Sequence, residues 1–157
     1  MKKTNAMRIL DANSIKYETT EYDVSDGKID GISVASKVNK VPNSVFKTLV
    51  TTCEKELFIF VVPVTAELDL KLAAQQVCKK QISMLPQKML LPMTGYVHGG
   101  CTAIGMKKKY PVFLDISADK FDKITVSAGK IGLQITLEVS DYLKITSAAL
   151  AHITKEN

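Results

Sequence analysis

The pattern of apolar and polar residues divides this chain into short helices and short strands. Apolar residues at three- and four-residue spacing predict helices, and alternating or continuous apolar runs bounded by turn residues predict strands. The helices predicted in this way cover residues 3–13, 33–38, 69–77, 86–91 and 140–153. The predicted strands cover residues 15–22, 45–52, 56–64, 79–85, 110–116, 123–127 and 133–139. Such a mixture is typical of an α+β fold.

Two predicted hairpins supply most of the sheet. The first joins residues 45–52 to residues 56–64, and its second strand is apolar on both faces, which favours a central, buried position. The second joins residues 123–127 to residues 133–139, where apolar and polar residues alternate. We therefore expect one α+β domain over residues 1–157, with a largely antiparallel sheet partly covered by helices.

One stretch, residues 94–109 (TGYVHGGCTAIGMKKK), holds half of the chain's eight glycines and ends in three lysines. Glycine lets a backbone approach a ligand closely, and successive N–H groups can line a concavity for a carbonyl oxygen or an anion. Neighbouring lysines favour a phosphate-bearing partner. The stretch therefore predicts the wall of a small site. The competing interpretation is a long connection with solvated lysines.

Length, charge and composition narrow the class of protein. The chain has 157 residues, a net charge of +5 and three cysteines without metal-type spacing, which we interpret as free thiols. No apolar run is long enough to span a membrane, and the N-terminus lacks the apolar region of a signal peptide. We therefore expect a cytoplasmic protein without membrane contact and with a mild preference for nucleic acids or phosphates.

Candidate nucleophiles and cofactor motifs are scarce. The sequence contains no P-loop and no Gly-x-Gly-x-x-Gly motif, and its histidines and cysteines are too scattered to predict a metal site, so no cofactor is expected. His98 and Cys101 lie three residues apart. A catalytic Cys–His pair is one interpretation of them, but it requires a spatial geometry that sequence does not show.

What remains is a site without a strong nucleophile. Lys47 lies where a strand begins, Thr48 and Ser127 offer hydroxyl groups, and the backbone of Gly99 and Gly100 offers N–H groups. Such groups can bind and polarise a carbonyl while water or the substrate supplies the attacking atom. The competing interpretation of Lys47 is an exposed strand lysine.

Four short motifs, in order along the chain, resemble those of the YbaK/EbsC family. They are Val45-Phe-Lys-Thr-Leu49, Thr94-Gly-Tyr-x-x-Gly-Gly100, Gly105-x-Lys-Lys108 and Val126-Ser-x-Gly-Lys-x-Gly-Leu133. Proteins of this family are free-standing relatives of the editing domain inserted in bacterial prolyl-tRNA synthetases. The resemblance implies a curved, mixed, barrel-like β-sheet with helices outside, and it implies trans-editing, in which cysteine mischarged on tRNA(Pro) is removed.

The same resemblance implies a mechanism without a protein nucleophile. The thiol of the bound cysteine attacks its own ester carbonyl and releases a thiolactone and free tRNA. The catalytic residues implied are Lys47, Gly99 and Gly100, and the substrate-binding residues implied are Tyr22, Thr48, Thr102, Ser127, Lys107 and Lys108. The implied partners are Cys-tRNA(Pro) and prolyl-tRNA synthetase, and the oligomeric state is left open.

The chain departs from the family pattern near the expected site. Cys101-Thr-Ala103 replaces the usual Ile-Ser-Pro run, and Ala128 stands where many members have glycine. Gln134 stands where an acidic or polar residue is common, and a histidine at position 98 is unusual. Two alternatives therefore stay open. One is a deacylase for another small amino acid, such as alanine, that activates water, and the other is a non-catalytic module that binds tRNA or a synthetase.

Overall fold

The computed structural model describes residues 2–156, which contain five α-helices and eight strands. The helices are α1 (Asn5–Ala12), α2 (Gly31–Lys37), α3 (Leu70–Gln76), α4 (Gln87–Thr94) and α5 (Val139–Thr146). The strands are β1 (Glu18–Glu21), β2 (Phe46–Cys53), β3 (Glu56–Pro63), β4 (Ser83–Met84), β5 (Val112–Asp115), β6 (Lys123–Lys130), β7 (Leu133–Glu138) and β8 (Ala149–Ala151). Within residues 2–156, every helix is too short or too polar to cross a membrane.

The strands form two sheets that meet at one pairing. A three-stranded antiparallel sheet has the order β1-β7-β6, and a five-stranded mixed sheet has the order β4-β2-β3-β5-β8. Strand β3 is central and buried, as its two-sided apolar pattern predicted. Val45, just before β2, pairs in parallel with Thr125 of β6 and so connects the sheets. The α+β prediction is confirmed, although the described strands form two connected sheets and not a closed barrel.

The main core lies where helices α1 and α5 contact the three-stranded sheet. Leu10 of α1, Leu137 of β7 and Tyr142 of α5 belong to one buried cluster. Burying a large apolar side chain stabilises a fold by about 1.5–3 kcal/mol. The Thr4 hydroxyl accepts a hydrogen bond from the Met7 N–H at the start of α1 and donates one to a β6 carbonyl, so this cap also attaches α1 to the sheet.

Three local predictions need correction. Helix α2 is capped by Asp30 and not by Ser33, because the Asp30 carboxylate accepts hydrogen bonds from the Ser33 N–H and hydroxyl. The strand predicted over residues 79–85 shrinks to β4. Helix α4 continues through Pro92 and ends only where Gly95 adopts a left-handed conformation.

The largest error concerns the end of the chain. The helix predicted over residues 140–153 stops at Thr146, because Ser147 adopts a left-handed conformation with φ of +57°. The chain then extends as β8 and pairs in parallel with β5. Apolar residues beyond Ser147 had suggested a longer helix, but Ala151 of β8 and Ile153 after it are buried in the same cluster as Phe60 of β3.

Replacing Ser147 with glycine tests where α5 ends. A left-handed conformation costs a non-glycine residue roughly 1–2 kcal/mol, part of which glycine loses again in the unfolded chain, so Ser147→Gly should stabilise the protein by roughly 0.5–1 kcal/mol. The control is Lys144→Gly, at an exposed position inside α5, which should destabilise by about 0.8 kcal/mol. Urea unfolding of the two variants measures both changes. Equal destabilisation by the two substitutions would show that the helix passes through residue 147.

Candidate active site

A cavity of about 360 Å³ lies beside the connection between the two sheets. Its polar lining comes from widely separated segments and includes Tyr22, Asp30, Lys47, Thr48, Gln87, His98, Gly99, Cys101, Ser127 and Gln134. Apolar side chains complete the wall, including Val34 of α2, Phe46 of β2 and Leu90 of α4. The tertiary structure therefore brings together five of the predicted site residues, namely Tyr22, Lys47, Thr48, Gly99 and Ser127.

Lys47 provides the positive charge in the lining of this cavity. It is half-buried near the start of β2, between the buried Phe46 and the cavity-lining Thr48. No carboxylate within residues 2–156 forms an ion pair with Lys47, and no protein acceptor takes a hydrogen bond from its ammonium group. A partly desolvated ammonium group without a protein partner is suited to an oxygen-rich or anionic ligand.

Unpaired polar atoms gather around the same cavity. Within residues 2–156, the buried side-chain atoms without a hydrogen-bond partner are Tyr22 Oη, Thr48 Oγ1, Gln134 Oε1 and Tyr142 Oη. The first three belong to residues that line the cavity, whereas Tyr142 lies in the core. An unsatisfied buried polar atom costs about 1–3 kcal/mol. Three of them in residues that line one cavity indicate a place where a polar ligand binds.

The glycine loop, which we define as residues 95–106, is closed by its own hydrogen bonds. The Lys107 N–H donates to the Thr94 carbonyl oxygen over 3.1 Å, which brings the two ends of the loop together. Inside the loop, the Tyr96 hydroxyl donates to the carbonyl oxygen of Ile104. A loop packed in this way holds its backbone in one place beside the cavity.

Gly99 and Gly100, in the middle of the glycine loop, have different structural roles. Gly99 has φ of +86° and lines the cavity, and a Cβ atom there would lie 2.9 Å from Ile29 Cδ1. Gly100 approaches the turn between β6 and β7 so closely that a Cβ atom would lie 2.8 Å from the Ile131 nitrogen. Its N–H donates to the Val97 carbonyl oxygen over 3.0 Å and is therefore already occupied. Of the predicted pair, the structure places only Gly99 on the cavity.

Three further predicted residues lie outside the cavity lining. Thr102 is fully buried, and its hydroxyl accepts a hydrogen bond from the Ile104 N–H. The Lys107 ammonium group donates to the carbonyl oxygen of Pro92, near the end of α4. Lys108 is exposed to solvent. Ser127, by contrast, lines the cavity and accepts a hydrogen bond from the Gly129 N–H.

The thiol of Cys101 is poorly suited to attack a substrate. Its side chain is only 9% exposed, and burial raises the pKa of this thiol to about 12. The thiolate is the reactive form of cysteine, so at neutral pH almost all of Cys101 is unreactive. His98 is exposed at the mouth of the cavity, and no hydrogen bond joins it to Cys101. Residues 2–156 also contain no cluster of three or more metal-ligating side chains.

Gln134 lines the cavity, although the sequence singled it out only as a departure from the family pattern near the expected site and gave it no role. It lies on β7, opposite Thr20 of β1 and Ser127 of β6. The available signal was the alternation of β7, in which Gln134 and Thr136 share the polar face. That face was open to interpretation as solvent-exposed, yet Gln134 and Thr136 are 6% and 7% exposed.

Comparisons with known proteins show the family to which this chain belongs. The model of the aminoacyl-tRNA editing domain family matches residues 29–145. A protein from Enterococcus faecalis (strain ATCC 700802 / V583) is 40% identical over 153 residues, covering 97% of this chain and 93% of that protein. Its name, Cys-tRNA(Pro)/Cys-tRNA(Cys) deacylase EbsC, is an inferred assignment.

Two solved structures share the fold. One, described by inference as a trans-editing enzyme for prolyl tRNA synthetase, has a TM-score of 0.84 at 20% identity and covers 99% of this chain and 100% of its own. The other, a scaffold protein from work on epitope backbone grafting, has a TM-score of 0.85 at 19% identity and covers 98% and 99% of the two chains. The family match and the 40% identical relative show that the chain belongs to the aminoacyl-tRNA editing domain family.

Proposed function

We propose that this protein is an aminoacyl-tRNA deacylase that removes cysteine mischarged on tRNA(Pro) in trans. The observation that carries the proposal is the unpaired Lys47 ammonium group beside the unpaired polar atoms of Tyr22, Thr48 and Gln134. This cavity offers donors and a positive charge for an ester while lacking an activated protein nucleophile. The relative that shares 40% of its residues carries the matching name.

The size of the cavity supports an aminoacyl end as the ligand. A volume of about 360 Å³ is within the range of small-molecule pockets, roughly 300–1,000 Å³. Such a volume accommodates an aminoacyl group with part of the terminal nucleoside, and the rest of a tRNA stays outside. We propose that Lys108 and Lys109, both exposed beside the glycine loop, contact its phosphates, and that prolyl-tRNA synthetase presents the substrate. A cytoplasmic location, where aminoacyl-tRNA is used, is part of the same proposal.

The reaction proposed is an intramolecular displacement within the substrate. The sulfur of the cysteinyl group attacks the ester carbonyl carbon, a C–S bond forms, and the bond from the carbonyl carbon to the ribose oxygen breaks. The thiol proton ends on that ribose oxygen, so the products are a thiolactone and tRNA with a free hydroxyl group. Lys47 and the Gly99 N–H would stabilise the negative charge that develops on the carbonyl oxygen.

The first test is deacylation of Cys-tRNA(Pro), Ala-tRNA(Pro) and Ser-tRNA(Pro) by the wild-type protein and by Lys47→Ala. We expect cleavage of the cysteinyl ester only, and a loss of about 10²–10³-fold in kcat on removal of the Lys47 ammonium group. Lys55→Ala is the matched control, because Lys55 is exposed in the turn between β2 and β3. It should keep the wild-type rate.

The other outcomes separate the alternatives. Cleavage of the alanyl ester would indicate attack by water and selection by size. Binding of tRNA without turnover of any ester would reject the deacylase and leave a binding module.

The second test asks whether a protein thiol takes part. At pH 8, a thiol with a pKa of about 12 is about one part in ten thousand thiolate, so Cys101 should resist iodoacetamide. Cys78 is exposed and should be alkylated. Mass spectrometry locates the modified cysteines, and we expect the alkylated protein to cleave Cys-tRNA(Pro) within twofold of the untreated rate. Rapid modification of Cys101 with loss of activity would contradict a mechanism without a protein nucleophile.

A further inference from the structure

Gln134 has a polar group that the fold itself does not use. The side chain is 6% exposed, and its Oε1 atom has no hydrogen-bond partner within residues 2–156. It lines the same cavity as Lys47. A buried amide of this kind destabilises the folded protein by about 1–3 kcal/mol relative to a satisfied one. A methionine of the same length would fill the position without that penalty, so packing does not explain the amide.

Strand geometry directs this side chain toward the ligand. Successive residues of a strand point to opposite faces of the sheet. Leu133 and Ile135 belong to the apolar core, so Gln134 lies on the other face, opposite Ser127 of β6. On the same face, the hydroxyl groups of Thr125 and Thr136 satisfy each other at 2.7 Å. Gln134 is therefore left as the unpaired polar residue of this face.

The charges around the cavity define the part of the substrate that Gln134 can bind. The titratable groups lining the cavity are Tyr22, Asp30, Lys47, His98 and Cys101. An aminoacyl ester presents a carbonyl oxygen, which accepts hydrogen bonds and therefore suits the Lys47 ammonium group. It also presents an α-amino group, which donates hydrogen bonds and requires an acceptor.

Asp30 is the only carboxylate in the lining, and it is a weaker match for this group because solvent and the cap of helix α2 already satisfy it. It is exposed, and its two oxygens accept hydrogen bonds from the N–H and the hydroxyl of Ser33, which cap helix α2. The Cys101 thiol is held neutral by burial and is a weak acceptor. A buried amide oxygen without a partner is the stronger acceptor.

We infer that Gln134 accepts a hydrogen bond from the α-amino group of the aminoacyl ester and so makes the site selective for esters with a free α-amino group. This inference rests on the deacylase proposed above. Because the acceptor is a neutral amide, it takes a hydrogen bond from either the protonated or the neutral amine. A site built to bind a polar substrate group rejects an analogue without that group, because its own buried partner stays unpaired.

The experiment compares two substrates on two proteins. The substrates are cysteinyl-tRNA(Pro) and 3-mercaptopropionyl-tRNA(Pro), which keeps the thiol and the ester but lacks the α-amino group. The proteins are wild type and Gln134→Met, and Gln76→Met, at an exposed position on α3, is the control for the substitution itself. Thermal unfolding should show Gln134→Met at least as stable as wild type, because the substitution removes an unsatisfied amide.

We expect wild type to prefer the cysteinyl ester by at least about tenfold in kcat/KM, beyond the difference in the uncatalysed rates. In Gln134→Met, the ratio of kcat/KM for the cysteinyl ester to kcat/KM for the mercaptopropionyl ester should fall to about three or less. Only the cysteinyl ester loses an interaction in this variant. Gln76→Met should keep the wild-type preference. An equal loss of kcat/KM on both substrates would show that Gln134 only shapes the cavity. A wild-type protein without a preference between the two esters would show that no α-amino subsite exists. Either result overturns the inference.

Binding separates this inference from the proposed reaction. The probes are non-hydrolysable amides of 3′-amino-3′-deoxyadenosine with cysteine and with 3-mercaptopropionic acid. If wild type cleaves neither ester but binds the cysteinyl amide more tightly, and Gln134→Met loses that difference, the α-amino subsite stands and the deacylase is rejected. If binding shows no such difference, the subsite is rejected, whatever the rate of deacylation.

Discussion

The parallel pairing of Val45 with Thr125 is the constraint on which the site depends. Both strands run in the same direction from this point, so the residues two positions further along, Lys47 and Ser127, reach the same level of the fold. Antiparallel pairing of β6 with β7 then places Gln134 opposite Ser127. A single connection between two sheets thus brings a cation, a hydroxyl and an amide from distant parts of the chain to one cavity.

The glycine loop supports this arrangement from the other side. Gly100 contributes through the close approach of its backbone to the β6–β7 turn, where a side chain would collide with backbone atoms. Gly99 can then lie at the cavity wall next to the buried Cys101. Burial keeps the Cys101 thiol protonated and therefore unreactive as a nucleophile. The cavity is therefore suited to stabilise charge that develops on a substrate and not to attack it.

The sequence predicted those elements whose burial or capping depends on residues within the element itself. The apolar run of β3 required burial on both faces, and Asp69 caps helix α3 through hydrogen bonds to two nearby N–H groups, so both features were predictable. The end of α5 was not, because apolar residues after Ser147 fit a helix as well as a strand. Pairing with β5 decides between them, and that partner lies more than thirty residues away in the chain.

For the candidate site, the amino-acid sequence was sufficient to identify Lys47, its neighbouring threonine and the glycine loop, because these residues carry recognisable chemistry in short motifs. It could not separate the roles of Gly99 and Gly100, and it noted Gln134 only as a departure from the family pattern, without a role. Alternation along β7 shows that Gln134 and Thr136 share a face, but not whether that face meets water or another sheet. Only the tertiary structure buries this face, and burial turns an ordinary polar residue into an unsatisfied acceptor in the cavity.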